Sequence, residues 1–132
     1  MTDQELATLL SAMPFSVACG IELTIAEADE VRGQMPWGAD RCTSGGALHG
    51  GAVMALADSL GGVCAYLNLP EGASTSTIES KTNFFRGVRS GLLYGTASPL
   101  HVGRTTIAVQ TDLRDDRGKR VALTTQTQAV IR

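Results

Sequence analysis

The chain predicts an α+β fold in which one long helix lies on a mainly antiparallel sheet, and three features of its 132 residues carry that prediction. The stretch 45–67, GGALHGGAVMALADSLGGVCAYL, repeats its apolar residues at helical spacing. Four segments with a period of two follow it in succession, with no further helical pattern between them. The last two are joined by Asp115-Asp116-Arg117-Gly118-Lys119, a run suited to a tight hairpin. A βαβ alternation is missing, so a doubly wound parallel sheet is excluded.

At the N-terminus, Asp3 is placed to cap a short amphipathic helix over residues 4–13, with Leu6, Leu9 and Leu10 facing inward and Pro14 ending it. It reads as a lid or packing helix without chemistry. Ile21, Leu23 and Ile25 alternate with polar residues, and residues 31–37 follow as the second arm of a hairpin. Residues 38–46 form a polar, glycine-bearing loop that contains Cys42. After the long helix, Pro70 to Gly72 make a turn, and residues 73–86, rich in Thr, Ser, Ile and Phe, make a long strand. Segments 92–102, 105–114 and 120–131 complete a sheet of about six strands, with Pro99 marking a bulge or an edge position.

With 43% hydrophobic residues, no internal repeat and no linker-like stretch, residues 1–132 read as one domain able to bury a core. Eleven Lys and Arg against thirteen Asp and Glu, with no block of like charge, argue against a nucleic-acid partner. Cys19, Cys42 and Cys64 are odd in number and lack C-x-x-C spacing, and no signal peptide or membrane-spanning segment is evident, so a reduced, cytoplasmic protein is expected. His49 and His101 are the only histidines, too few at any recognisable spacing for a metal site. Cys42 would be a nucleophile only if a histidine lowered its pKa, and His49, though near, has no evident third group to orient it.

On a wheel of about 100° per residue, Val53, Leu56, Ala57, Leu60, Cys64 and Leu67 form a broad apolar face that needs a sheet to lie on. The adjoining face carries Gly51, Ala55, Asp58, Gly62 and Ala65, so the helix's only carboxylate stands among residues too small to fill space. Either these residues admit a close neighbour while Asp58 meets solvent, or the carboxylate is held for chemistry. That face has no partner within one chain, which predicts a second subunit against it. Gly45, Gly46, Gly50 and Gly51 bracket His49 at the helix start, where unpaired N–H groups and the positive end of the helix favour an oxyanion. Neither G-x-x-x-x-G-K-[ST] nor G-x-G-x-x-G is present, so the loop is no phosphate cradle.

Leu48 to Asp58, L-H-G-G-A-V-x-A-L-A-D, resembles the hotdog-fold acyl-CoA thioesterases of the phenylacetate-pathway type, and the likeness extends along nearly the whole chain. Residues 77–86, TIESKTNFFR, are similar to the family's strand that ends in an apolar pair and arginine. The resemblance implies a long central helix wrapped by a curled sheet. It also implies that the Gly50 N–H polarises the thioester and that Asp58 acts as nucleophile or base. Arg86, Arg89 and Arg104 sit at or near strand ends, where they could pair with the phosphates of coenzyme A or simply be solvated, and Gly51 and Asn83 are further substrate-binding candidates. His49 follows the motif, with shaping of the loop favoured over a catalytic role, and Thr77 occupies a position where relatives place a hydroxyl. Relatives often carry asparagine six residues before the histidine, where this chain has Thr43, and proline after the arginine, where it has Gly87.

The expected activity is hydrolysis of a small-molecule acyl-CoA, with coenzyme A as part of the substrate and no other cofactor. Association as a homodimer, with a homotetramer as a further level, is expected, and contact with nucleic acid or membrane is not. Two alternatives are a hotdog enoyl-CoA hydratase or dehydratase, whose histidine segment differs from L-H-G-G, and a non-catalytic acyl-CoA-binding module. The three Phe, two Tyr and one Trp do not decide between an aryl and an alkyl acyl group.

Overall fold

Capping chemistry decides where the first helix begins. In the computed structural model, which describes Met1–Arg132, Thr2 rather than Asp3 is the N-cap. The Thr2 hydroxyl accepts from the Glu5 N–H at 3.1 Å and the Glu5 carboxylate accepts from the Thr2 N–H at 2.7 Å, a reciprocal box that starts α1 (Asp3–Ser11) one residue early. Pro14 does not end this helix but opens another, α2 (Pro14–Ala18), because proline's fixed φ and missing N–H suit a first helical turn. Leu6 and Leu10 are buried, as their spacing requires, and Leu9 is partly so.

Six antiparallel strands form one sheet in the order β1-β2-β4-β5-β6-β3, comprising β1 (Glu22–Glu27), β2 (Glu30–Pro36), β3 (Ser74–Phe84), β4 (Leu92–Val102), β5 (Thr106–Arg114) and β6 (Arg120–Ile131). In β1 a bulge between Leu23 and Ile25 changes the phase, so Ala26 and not Ile25 turns into the core. A second bulge lies between Pro99 and His101. Pairing of β4 with β2 stops at Ala97, so Pro99 stands where one side of β4 is free and its missing N–H costs no ladder bond. The β5–β6 hairpin closes as its residues dictate: Asp115 Oδ1 accepts from the N–H groups of Arg117 and Lys119 at 2.9 and 3.0 Å, and Gly118 takes a φ of 76°.

The long helix α3 (Gly50–Leu67) starts five residues later than its apolar pattern suggests. Gly45 and Gly46 have φ of 85° and 83°, outside any right-handed helix, and they turn the chain before His49 caps α3. Val53, Leu56, Ala57, Leu60 and Cys64 are buried against β2, β4 and β5. Leu60 is fully buried, and the cross-strand pair Gly33 and Gly95 leaves a notch beneath its two methyls. A Cβ on either glycine would stand 2.7 or 2.5 Å from a Leu60 methyl. Ala65, expected among the open small residues, is instead fully buried. By length and composition alone α3 could cross a membrane, but half of it is buried within this fold.

Candidate active site

The loop before α3 is fixed from three sides, which sets where the first helical N–H groups point. Cys42 and Leu48 form an isolated antiparallel bridge, the Trp37 indole N–H donates to the Gly46 carbonyl at 2.9 Å, and the Arg89 guanidinium donates to the Gly45 carbonyl. His49 Nδ1 accepts from the Gly51 N–H at 2.7 Å, so the histidine acts as a helix cap and the Gly51 donor is occupied. The Gly50 N–H, first in the helix, has no helical acceptor and takes no part in the loop's hydrogen bonds. It is the free donor at the positive end of α3. The Phe84 ring lies against it, 3.4 Å from where a Gly50 Cβ would stand.

Eight residues further along α3, Asp58 opens into a cleft of about 510 Å³. Leu9 of α1, Met13 between α1 and α2, and Val63 of α3 supply its apolar wall, while Thr75, Thr77 and Gln128 supply a polar one. Burial pushes the Asp58 carboxyl above its ordinary pKa, and hydrogen bonds from Gln126 and Thr77 pull the other way. Gln126 Nε2 approaches Asp58 Oδ1 at 3.5 Å, and Gln128 Nε2 donates to Thr77 Oγ1 at 2.8 Å. The N-terminal helix therefore borders the cleft as well as packing on β1.

Gln126 and Gln128 escaped the sequence reading, although a signal was present. In β6 the alternate residues Ala122, Thr124, Gln126 and Gln128 all face inward and are at most 2% exposed. Uncharged amides on the buried phase of a strand need partners, and Asp58 and Thr77 are those partners.

The remaining candidates divide by place. Thr77 stands beside Asp58, whereas Thr43 is exposed in the Cys42–Leu48 loop, its backbone N–H donating to the Ala47 carbonyl at 2.9 Å. Asn83 alternates with Thr82 and Phe84, which face inward, and so lies on the opposite face of β3. Arg86 and Arg89 follow β3 at one end of the sheet. Arg104 lies in the β4–β5 turn, beside the far end of β6, so the length of β3, about 30 Å, separates it from Arg86 within one chain. The Cys42 thiol donates to the Gly38 carbonyl at 3.3 Å and does not pair with His49. Burial drives the Cys64 thiol up to about 11. No group of three or more His, Cys, Asp and Glu side chains is arranged to hold a metal ion.

Sequence comparison matches residues 45–122, which hold all of α3, strands β3 to β5 and the start of β6, to the thioesterase superfamily model. A Vibrio cholerae protein that carries an esterase name is 40% identical over 87 residues, 66% of this chain and 58% of that protein. The proofreading thioesterase EntH of Klebsiella pneumoniae is 36% identical over 101 residues, 76% of this chain and 74% of that one. Among solved structures, a thioesterase from Haemophilus influenzae superposes with a TM-score of 0.91 at 30% identity, covering 99% of this chain and 91% of the other. The central helix wrapped by a curled six-stranded antiparallel sheet is the hotdog arrangement those neighbours share. With the motif, the fold and the relatives in agreement, the chain is a member of the thioesterase superfamily.

Proposed function

We infer that the protein hydrolyses acyl-CoA thioesters at sites shared between two copies of the chain. The observation that carries this reading is a separation on α3. Gly50, with its free N–H, and Asp58 are eight residues apart, about 12 Å along the helix axis. A reacting carbonyl needs its oxyanion donor and its attacking group each within about 3 Å. An aspartate side chain is too short to close that gap, so the two groups come from different copies.

The surface left open by the fold supports such an assembly. β3 is the last strand of the sheet and is unpaired along one edge for 11 residues, with Ile78 exposed upon it. Met54, Gly62 and Tyr66 flank Asp58 on the uncovered side of α3. Two chains related by a two-fold axis, joined along β3, would extend the sheet and set the two α3 helices antiparallel. Gly50 of one copy then approaches Asp58 of the other, giving two equivalent sites per dimer. The same operation moves the Arg104 end of one chain towards the Arg86 end of the second.

In each site the Gly50 N–H and the positive end of α3 stabilise the tetrahedral oxyanion. Ionised Asp58 either attacks the carbonyl carbon, giving an anhydride that water cleaves, or takes a proton from the water that attacks. Both routes release the free acid and the coenzyme A thiol. Arg86 and Arg89 present unpaired or loop-bound guanidinium groups suited to the nucleotide phosphates. The test is a panel of aryl, short-chain and medium-chain acyl-CoAs followed by thiol release, beside an enoyl-CoA followed for hydration. Thiol release without hydration is expected, and tight acyl-CoA binding with no release across the panel would overturn the reading.

A further inference from the structure

Gln126 occupies a place that a core residue of its kind has reason to avoid. It is 1% exposed, packs beneath α3, and its amide oxygen has no hydrogen-bond partner. The helix is shaped to admit it: an ideal Cβ on Gly61 would stand 2.0 Å from Gln126 Oε1 and 2.4 Å from Cδ. Glycine is disfavoured at a helix interior, so Gly61 sacrifices helix propensity to make room for an amide. Leucine at 126 would fill the same space without an orphaned oxygen, and what the amide alone provides is an N–H directed at Asp58.

Direction matters because an ionised carboxylate only accepts. The Gln126 amide can face Asp58 only through Nε2, which is the orientation found, at 3.5 Å. Bonds of this kind are often long without substrate and tighten when it binds. Gln128, 2% exposed, gives its N–H to Thr77 Oγ1 at 2.8 Å, and its Oε1 lies 3.2 Å from the Thr75 hydroxyl, whose shorter bond, 2.8 Å, goes to the Ala129 carbonyl. Since Thr77 Oγ1 accepts from Gln128, its hydroxyl proton is free to point at Asp58. The side chains lining the cleft from α1, β3 and β6 are uncharged, and Tyr66, two turns further along α3, is the only other titratable group there.

We propose that Gln126 and Gln128 are positioning residues for the reaction, holding the Asp58 carboxylate charged and aimed into the cleft, Gln126 directly and Gln128 through Thr77. The proposal rests on Asp58 being the reacting carboxylate. Two independent changes remove the Gln126 donor: Gln126→Leu deletes the amide, and Gly61→Ala pushes it aside while leaving it in the chain. Each should lower kcat about tenfold and raise the acid limb of the kcat/KM profile by about one pH unit, with KM little changed. The double variant should show no further shift, since both changes break the same contact. Thermal unfolding confirms that each variant is folded, and Asp58→Asn is assayed alongside. An acid limb that stays in place in both variants, while Asp58→Asn is inactive, overturns the positioning role alone. Full activity in Asp58→Asn overturns the reading beneath it.

Discussion

The seat of α3 on the sheet depends on one leucine above two glycines, and the dependence can be measured. Leu60 is fully buried, so Leu60→Ala should cost about 3 kcal/mol through lost burial and the cavity it leaves. Gly95→Ala places a Cβ 2.5 Å from a Leu60 methyl, and overpacking of this kind costs about 1–3 kcal/mol. Against that cost stands a gain of about 0.5–1 kcal/mol from removing glycine from a strand interior. A net loss of about 1–2 kcal/mol is therefore expected. In the double variant the clash is gone and the new methyl fills part of the void. Its stability should match Leu60→Ala or exceed it slightly, a coupling of about 2 kcal/mol. Urea unfolding of the four proteins at one fixed protein concentration gives the cycle, since association would otherwise shift the midpoints. Additive losses would refute the argument, because they would mean that Leu60 and Gly95 do not share the notch.

Asp58→Asn keeps the side chain's size but not its charge, and should lower thioester hydrolysis about 100-fold or more in a steady-state assay. Because burial raises the folded-state pKa of Asp58, the stability tied to its protonation is present in acid and lost as pH rises through that pKa. Asp58→Asn should therefore unfold at higher temperature than wild type near neutral pH, with the difference shrinking in acid. An opposite sign would mean that the charged form is favoured by the fold. Wild-type activity should fall on acidification at a pH above the usual carboxylate range. Thr43→Asn restores an amide in an exposed loop position and should preserve or raise the rate, with a severe loss assigning Thr43 a role particular to this protein.

Where a single side-chain period governed an element, the sequence was enough. The bounds of β4 and β6 follow from alternation alone, and the buried stripe of α3 follows from helical spacing. Departures arose where one residue broke the period for a local reason. The bulge after Leu23 reversed the inward phase of β1, the Thr2–Glu5 box moved the start of α1, and the left-handed glycines before His49 shortened α3. Asp58 stood out as the one carboxylate in an apolar helix, and Gly50 could be singled out only through the resemblance of L-H-G-G to a known motif. Gln126, the partner of Asp58, could not be, since it is 68 residues away and its approach depends on the pairing of β6 with β3 and on Gly61. Arg86 and Arg104 looked alike in the sequence, and the register of β3 with β6 sets them at opposite ends.

The composite site is the central claim, and Gly50 offers an unusually clean way to test it. It is the first residue of α3, where proline is well tolerated, and His49 before it sits at φ −59° and ψ 137°, a conformation that accepts a following proline. Gly50→Pro therefore deletes the oxyanion donor while leaving the helix in place, and should cost about 100-fold or more in rate. Subunits carrying Gly50→Pro are unfolded and refolded together with an equal amount carrying Asp58→Asn. Sites built across two chains give every mixed dimer one intact pair of groups, and activity should return to about a quarter of wild type. Sites built within one chain would leave the mixture as inactive as its parents, and that result would contradict the account.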